Sequence, residues 1–400
     1  TLTLACSLQA FNMALQMAAG DIYVAGQGCE PCPSGIAVYA PDSGAGASAT
    51  LVDSGTGVYP GVRLSGQVWT DTVSMGPYQL ENFTLCDAFG SLPPGPIFPA
   101  PISGLMGLGP RAVLRTTATV QPITPEVFWQ DIFAQSASDA QFGLWIEPLN
   151  ASNPIGGGRL TLGGVDTTLY SGDVEFLDAS PGPSGTNGAW MMNLSSIVIA
   201  GTKLTPTNRS VTFAVESKII TGPASDVAAF WAKVPGARAS GVSDLYGAEF
   251  YSYPCANTVK ATVSFGGQAW ALTPSLINAG AAPGDKQCFG ALLGCPCGAF
   301  VTAPCSCSSW EFGTPFLGSV YSVFRQTPFS IGFANLSVRA GGTGECSQRI
   351  RILARELTTG QLRLRESLRR PRVPKRGLHR RPPLRPAHRH RRLEPILSHL

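Results

Sequence analysis

The sequence carries little charge and, over most of its length, no histidine. Asp, Glu, Lys and Arg make up only 14% of the 400 residues, and the four histidines (His379, His388, His390 and His399) all lie near the C-terminus. A histidine-free body excludes a Ser-His-Asp or Cys-His centre and a zinc-binding HExxH helix. Hydrolytic chemistry there would have to use carboxylates, lysine or a metal held by other ligands. No apolar run approaches the length of a membrane-crossing helix, so no membrane span is expected. Long Ala/Glu/Lys/Leu stretches are rare, which argues against long helices. The glycine clusters at 156–158 and 163–164 lack the Lys-Ser/Thr of a phosphate loop. No cofactor and no metal are expected.

Turn formers are plentiful: 46 Gly and 33 Pro imply many short strands. The net charge of +4 conceals two regions. Ser347–Leu400 holds 16 Lys+Arg against 3 Asp+Glu, so the preceding residues carry −9. An acidic body argues against a nucleic-acid surface on the folded part. The tail is too basic and too poor in large apolar residues to form a core. It reads as disordered, as an out-of-frame translation, or as a polyanion-binding segment. Eleven Cys and five N-x-S/T sequons, at Asn82, Asn150, Asn193, Asn208 and Asn335, suggest an oxidising, secretory history. The chain begins at Thr1 without Met, as a processed or truncated product would.

Alternation of apolar and polar residues around Gly76-Pro77 predicts a hairpin across 62–85. Helical spacing after Thr124-Pro125 predicts a helix in 124–142, and a second is expected in 224–237 with Asp226 as its cap. "SPGPSGTNGA" at 180–189 marks a boundary near the middle of the body. The element order of the first half then recurs, which suggests two similar β lobes. The expected division is 1–180 and 181–340, with 341–400 as the tail.

Seven stretches in order resemble pepsin-like aspartic proteases of the fungal type: "FNMAL" with "GDIYVAG", "LSGQVWTDTVSMG", "GLMGLG", "GGGRLTLGGVDTTLYSGDVEFL", "AWMMNLSSIVIAG", "ITGPASDVAAFWAKVPGA" and "WEFGTPFLGSVYSVF". The resemblance covers about residues 1–340. It implies a mostly β, bilobal acid-protease fold, two six-stranded-type β lobes with a central cleft. It also implies a secreted or vacuolar, monomeric endopeptidase that takes extended peptides. The family's chemistry needs two Asp carboxylates, one per lobe, sharing one proton (the handling of like charges for which aspartic proteases are the standard example).

Neither Asp-Thr/Ser-Gly turn is intact. Before "DIYV" the chain reads Gln16-Met17-Ala18-Ala19, and a neutral Gln cannot act as a general base. In the second lobe it reads "FAVESKIITGP". Counting forwards from Ala214-Val215 puts Glu216 at the Asp position, with two residues then missing before Ile219. Counting backwards without a gap puts Ala214 there. The string "LVDSGTGVY" does spell Asp-Ser-Gly at Asp53, but no apolar strand follows it, and such strings are ordinary turn composition. Asp53 falls on the approach to the family's flap. There Tyr59 and Gly61 match substrate-covering positions, while Pro60 replaces a glycine and stiffens the hairpin.

The resemblance pairs Cys29 with Cys32 and Cys255 with Cys288. "CPCGAFVTAPCSC" (Cys295, Cys297, Cys305, Cys307) fits two further disulfides or, with less usual spacing, four zinc thiolates. The expected function is an aspartic endopeptidase homologue that is catalytically impaired. The alternatives are an active enzyme with an unorthodox site, a secreted peptide-binding pseudoprotease, or the product of a decayed gene.

Overall fold

The computed structural model describes residues 2–4, 9–17, 20–30, 32–40, 63–92, 98, 100–110, 127–134, 140–147, 157–181, 189–206, 209–244, 247–282, 286–295 and 309–342. All of them belong to one compact unit that ends at Ser347. The fold is mostly β and bilobal, of the pepsin type.

A seven-stranded sheet is built from residues 2–107, in the order Gln9–Phe11, Leu2–Leu4, Arg63–Met75, Tyr78–Leu92, Ile22–Ala25, Gly104–Gly107, Met13–Gln16. Its longest pair is the hairpin expected from alternation, which turns at Gly76-Pro77. A sheet of ten strands takes residues 180–312. A four-stranded sheet packs Ser196–Ile199 and Ala261–Ser264 between Thr202–Leu204 and Ala269–Leu272. A separate five-stranded sheet links the two halves. It orders Tyr170–Asp178, Ser330–Leu336, Val320–Arg325, Gln141–Glu147 and Gly157–Leu162, so the end of the body is woven into strands from its first half.

One aromatic-rich core runs through both halves. Trp190 lies 5.8 Å from Trp129, 5.2 Å from Phe324 and 4.7 Å from Phe329, centroid to centroid. The indoles also reach backbone carbonyls. Trp129 Nε1 donates to Gly109 O at 3.0 Å and Trp190 Nε1 to Leu108 O at 2.8 Å. These two indoles thus satisfy their one donor each while fixing the chain just past Gly107.

Two sequence expectations are corrected. The first helix spans only Phe128–Asp131 among the described residues, because Gln141–Glu147 pairs with Val320–Arg325 instead of continuing it. The second helix, Ala224–Trp231, is capped at Pro223 without a side-chain bond; Asp226 sits inside the first turn, not at the cap.

Candidate active site

Two turns carry the residues where catalytic groups are expected, and the sheets position them the same way. In the first lobe Met13–Gln16 runs parallel to Gly104–Gly107, which runs antiparallel to Ile22–Ala25. In the second, Ser210–Phe213 runs parallel to Trp310–Phe312, which runs antiparallel to Ile220–Pro223. Met106 faces Leu15 and Ile22; Phe312 faces Phe213 and Ile220. Leu15 therefore corresponds to Phe213, and Ile22 to Ile220. Each turn spans the same interval, 16–21 in one and 214–219 in the other. Backbone bonds repeat the match: Gly107 N donates to Asp21 O at 2.9 Å, and Gly313 N to Ile219 O at 3.1 Å.

This register sets Ala214 opposite Gln16, the ungapped alternative. The second turn is not shortened, and Glu216 stands two positions further on. Phe213 anchors the turn from below, with ring centroids 5.8–6.4 Å from Phe265, Phe312, Phe316, Phe324 and Phe333. The turn itself is closed by Ala214 N to Phe312 O (3.1 Å), Ser217 N to Ala214 O (3.2 Å) and Thr314 N to Ser217 O (2.7 Å). A side chain at Gly313 would run into the carbonyl oxygens of Ile219 and Ser217, so only glycine fits there.

The side chains on this scaffold are unusual. Gln16 is 2% exposed, and its Oε1 has no hydrogen-bond partner. A buried acceptor left unpaired costs free energy, which few native groups tolerate. Met17 beside it is fully buried. Its backbone N–H favours the charged form of the Glu216 carboxyl. Surrounding protein and the like charge of Glu311 act more strongly, and push Glu216 up to about 8 from 4.5. Its surface is nonetheless open to solvent, and that contact tempers the shift.

Glu311 escaped the sequence reading. It lies between Trp310 and Phe312, opposite Thr212 and Thr221 on the flanking strands. Burial raises its carboxyl to about 7 and the Asp244 charge adds to that, while the nearby Ser217 side chain, whose hydroxyl donates to Ile219 O at 3.2 Å, opposes it. A lone acid inside an otherwise apolar strand was the signal that could have found it.

Among the other expected site residues, Cys29 bonds Cys32 and Cys255 bonds Cys288. Cys295 is buried and disulfide-bonded, and the rest of the Cys-rich stretch lies outside the described residues. So do Asp53, Tyr59, Pro60, Gly61, Asn150, Asn208 and the basic tail. Asn82, Asn193 and Asn335 are all exposed. No described group of three or more His, Cys, Asp or Glu could hold a metal ion. No described helix is long and apolar enough to cross a membrane.

Paired β turns meeting across two lobes define an acid-protease scaffold. The chain belongs to the eukaryotic aspartyl protease family, whose sequence profile matches residues 2–336. It is 27% identical to major aspartyl peptidase 1 of Cryptococcus neoformans var. grubii, over 83% of this chain and 68% of that protein. It is 26% identical to an aspartic protease of Phaffia rhodozyma, over 68% of this chain and 61% of that one. Cathepsin D of Dictyostelium discoideum is 24% identical over 82% and 80% of the two chains.

Proposed function

We propose that this chain is a peptide-binding member of the aspartic protease family whose acid-protease centre is impaired. The observation that carries the reading is the pairing of Gln16 with Ala214 at matching places on the two turns. Neither side chain can ionise, so no proton-sharing carboxyl dyad can form there. An extended peptide between the lobes is the ligand the fold suits. The reading places the boundary between lobes near residue 180 and the tail beyond 340. It takes the protein as secreted or vacuolar and monomeric, with glycans on the exposed sequons. The disulfides Cys29–Cys32 and Cys255–Cys288 support an oxidising compartment.

One feature favours a second reading, an active enzyme using other carboxyls: the Met17 backbone of the first-lobe turn favours the charged form of Glu216. Digestion of a denatured protein by the purified chain across pH 3–6, with and without pepstatin, separates the two. The impaired reading expects no pepstatin-sensitive cleavage. Pepstatin-sensitive cleavage that disappears in Glu216→Ala would overturn it.

A further inference from the structure

The longest strand of the fold is left partly bare. Tyr78–Leu92 runs for 15 residues, and Arg63–Met75 pairs along one side of it. On the other side Ile22–Ala25 covers only Cys86, Asp87 and Ala88. No strand among the described residues lies along the outer side of residues 78–83. An open edge offers main-chain donors and acceptors to any strand that approaches, including the same edge of a second copy. Composition adds to that hazard. Tyr78, Leu80 and Phe83 are apolar or aromatic, and Glu81 is the only charged residue in 76–84.

Asn82 sits on this stretch. The register shifts between the pairs Asp71–Phe83 and Val73–Leu80, so Glu81 and Asn82 together stand opposite Thr72. The extra residue makes a β-bulge. It also resets the alternation of faces. Tyr78 and Phe83 are an odd number of positions apart, yet both turn inward: the Tyr78 ring lies 5.5 Å from Phe133 and the Phe83 ring 5.8 Å from Phe128. Glu81 and Asn82 are both turned to solvent. Asn82 is left-handed there, with φ 54°, a conformation that asparagine tolerates better than most residues. With Phe83 and Thr84 it forms an N-x-Thr acceptor for N-glycosylation. Asn335 is placed differently. It lies between Ser171 and Val320 on paired strands, so sugar there would cover a sheet face and not an edge.

We propose that Asn82 carries an N-linked glycan that covers the open edge of residues 78–83 and keeps it from pairing with a second copy. The inference rests on the secretory reading above. In the modification the Asn82 amide nitrogen bonds to the anomeric carbon of an oligosaccharide carried on a lipid diphosphate. The bond from that carbon to the diphosphate breaks, the lipid diphosphate leaves, and the amide gives one proton to a base of the transferase. A partner strand would have to run about 4.8 Å from this edge. A hydrated, branched sugar rooted on the same stretch occupies that approach. The bulge and Glu81 already work against pairing, and the sugar completes the cover.

The test secretes the full chain from a eukaryotic host and maps its peptides by mass spectrometry. Asn82 is expected to carry sugar. Thr84→Ala removes the acceptor sequence. Asn82→Gly also removes it while suiting the positive φ, and serves should Thr84→Ala fail to fold. Trimming the folded parent to its first sugar with an endoglycosidase needs no substitution at all. In size-exclusion chromatography of concentrated samples, each sugar-depleted form is expected to lose its monomer peak to oligomers. The parent and Thr84→Ser, which keeps the acceptor, should stay monomeric. Adding Gln79→Lys, a charge on the same edge, should restore the monomer without sugar. Sugar-depleted protein that stays monomeric, or oligomers that survive Gln79→Lys, overturns the shielding role. A bare Asn82 beside sugar on another sequon overturns this inference alone. No sugar on any sequon overturns it together with the secretory reading.

Discussion

The turn after Leu15 and the turn after Phe213 share a frame and differ in filling. Both are six residues long, both leave a strand that runs parallel to its neighbour, and both are bonded to the glycine ending that neighbour. The first presents a buried amide and a methionine; the second presents an alanine, then a glutamate backed by another from the adjacent strand. The comparison teaches that the shape of these turns is kept by main-chain bonds and by the strands around them. It does not depend on the side chains that the family's chemistry needs.

The strongest way to break the comparison is to refill both turns alike. Gln16→Asp, Ala18→Gly, Ala214→Asp and Glu216→Gly together restore an Asp-x-Gly on each. If the frames are equivalent, cleavage of a denatured protein near pH 4 should rise by at least about a hundredfold over the parent, the lower end of what general acid–base catalysis contributes. Gln16→Asp alone should stay at the parent level. A folded quadruple variant without any gain would show that the frames differ where it matters.

The frame itself can be attacked next. Gly313→Ala drives a methyl into the carbonyls of Ile219 and Ser217, and should cost about 3 kcal/mol in urea denaturation. A loss within experimental error of zero would mean the second turn can shift, and that its likeness to the first is not enforced.

The smallest effect sharpens the difference in filling. Burial pushes the Glu311 carboxyl up to about 7 in the folded protein, against 4.5 for an ordinary glutamate, and that of Glu216 is raised as well, tempered by its contact with solvent. Over that range the folded chain keeps protons that the unfolded chain has released, so stability falls as pH rises from about 4.5 to about 7. The melting temperature should drop over that window by a few degrees, and by less in Glu216→Gln. At the places matching Glu216 and Glu311 the first lobe has Ala18 and Leu105, so Gln16→Leu should leave the slope unchanged. A flat profile in the parent would count against the pair.

Much of this was legible in the sequence, and the limits have physical causes. The hairpin Arg63–Met75/Tyr78–Leu92 follows from alternation around Gly76-Pro77, a purely local code. Gln16 was readable because its strand and the segment after it match the family without a gap. The second turn was ambiguous, since sequence cannot say which residue Phe312 will face; only the register chose Ala214 over Glu216. Glu311 was missed because its meaning depends on a turn almost a hundred residues away. The overlong first helix shows the same limit. Apolar spacing over 124–142 suits a helix, yet Gln141–Glu147 is claimed by a strand from the end of the body.

That late strand pairing also bears on synthesis. Gln141–Glu147 and Tyr170–Asp178 leave the ribosome long before Val320–Arg325 and Ser330–Leu336, which pair with them. Residues 179–319 must be translated in between, which takes about 7–30 s at cellular rates. For that time the nascent chain holds open sheet edges waiting for partners not yet made, the condition that invites mispairing with neighbours. The last hairpin of the body is thus a timing constraint, and a chain cut short before it would leave those edges uncovered for good.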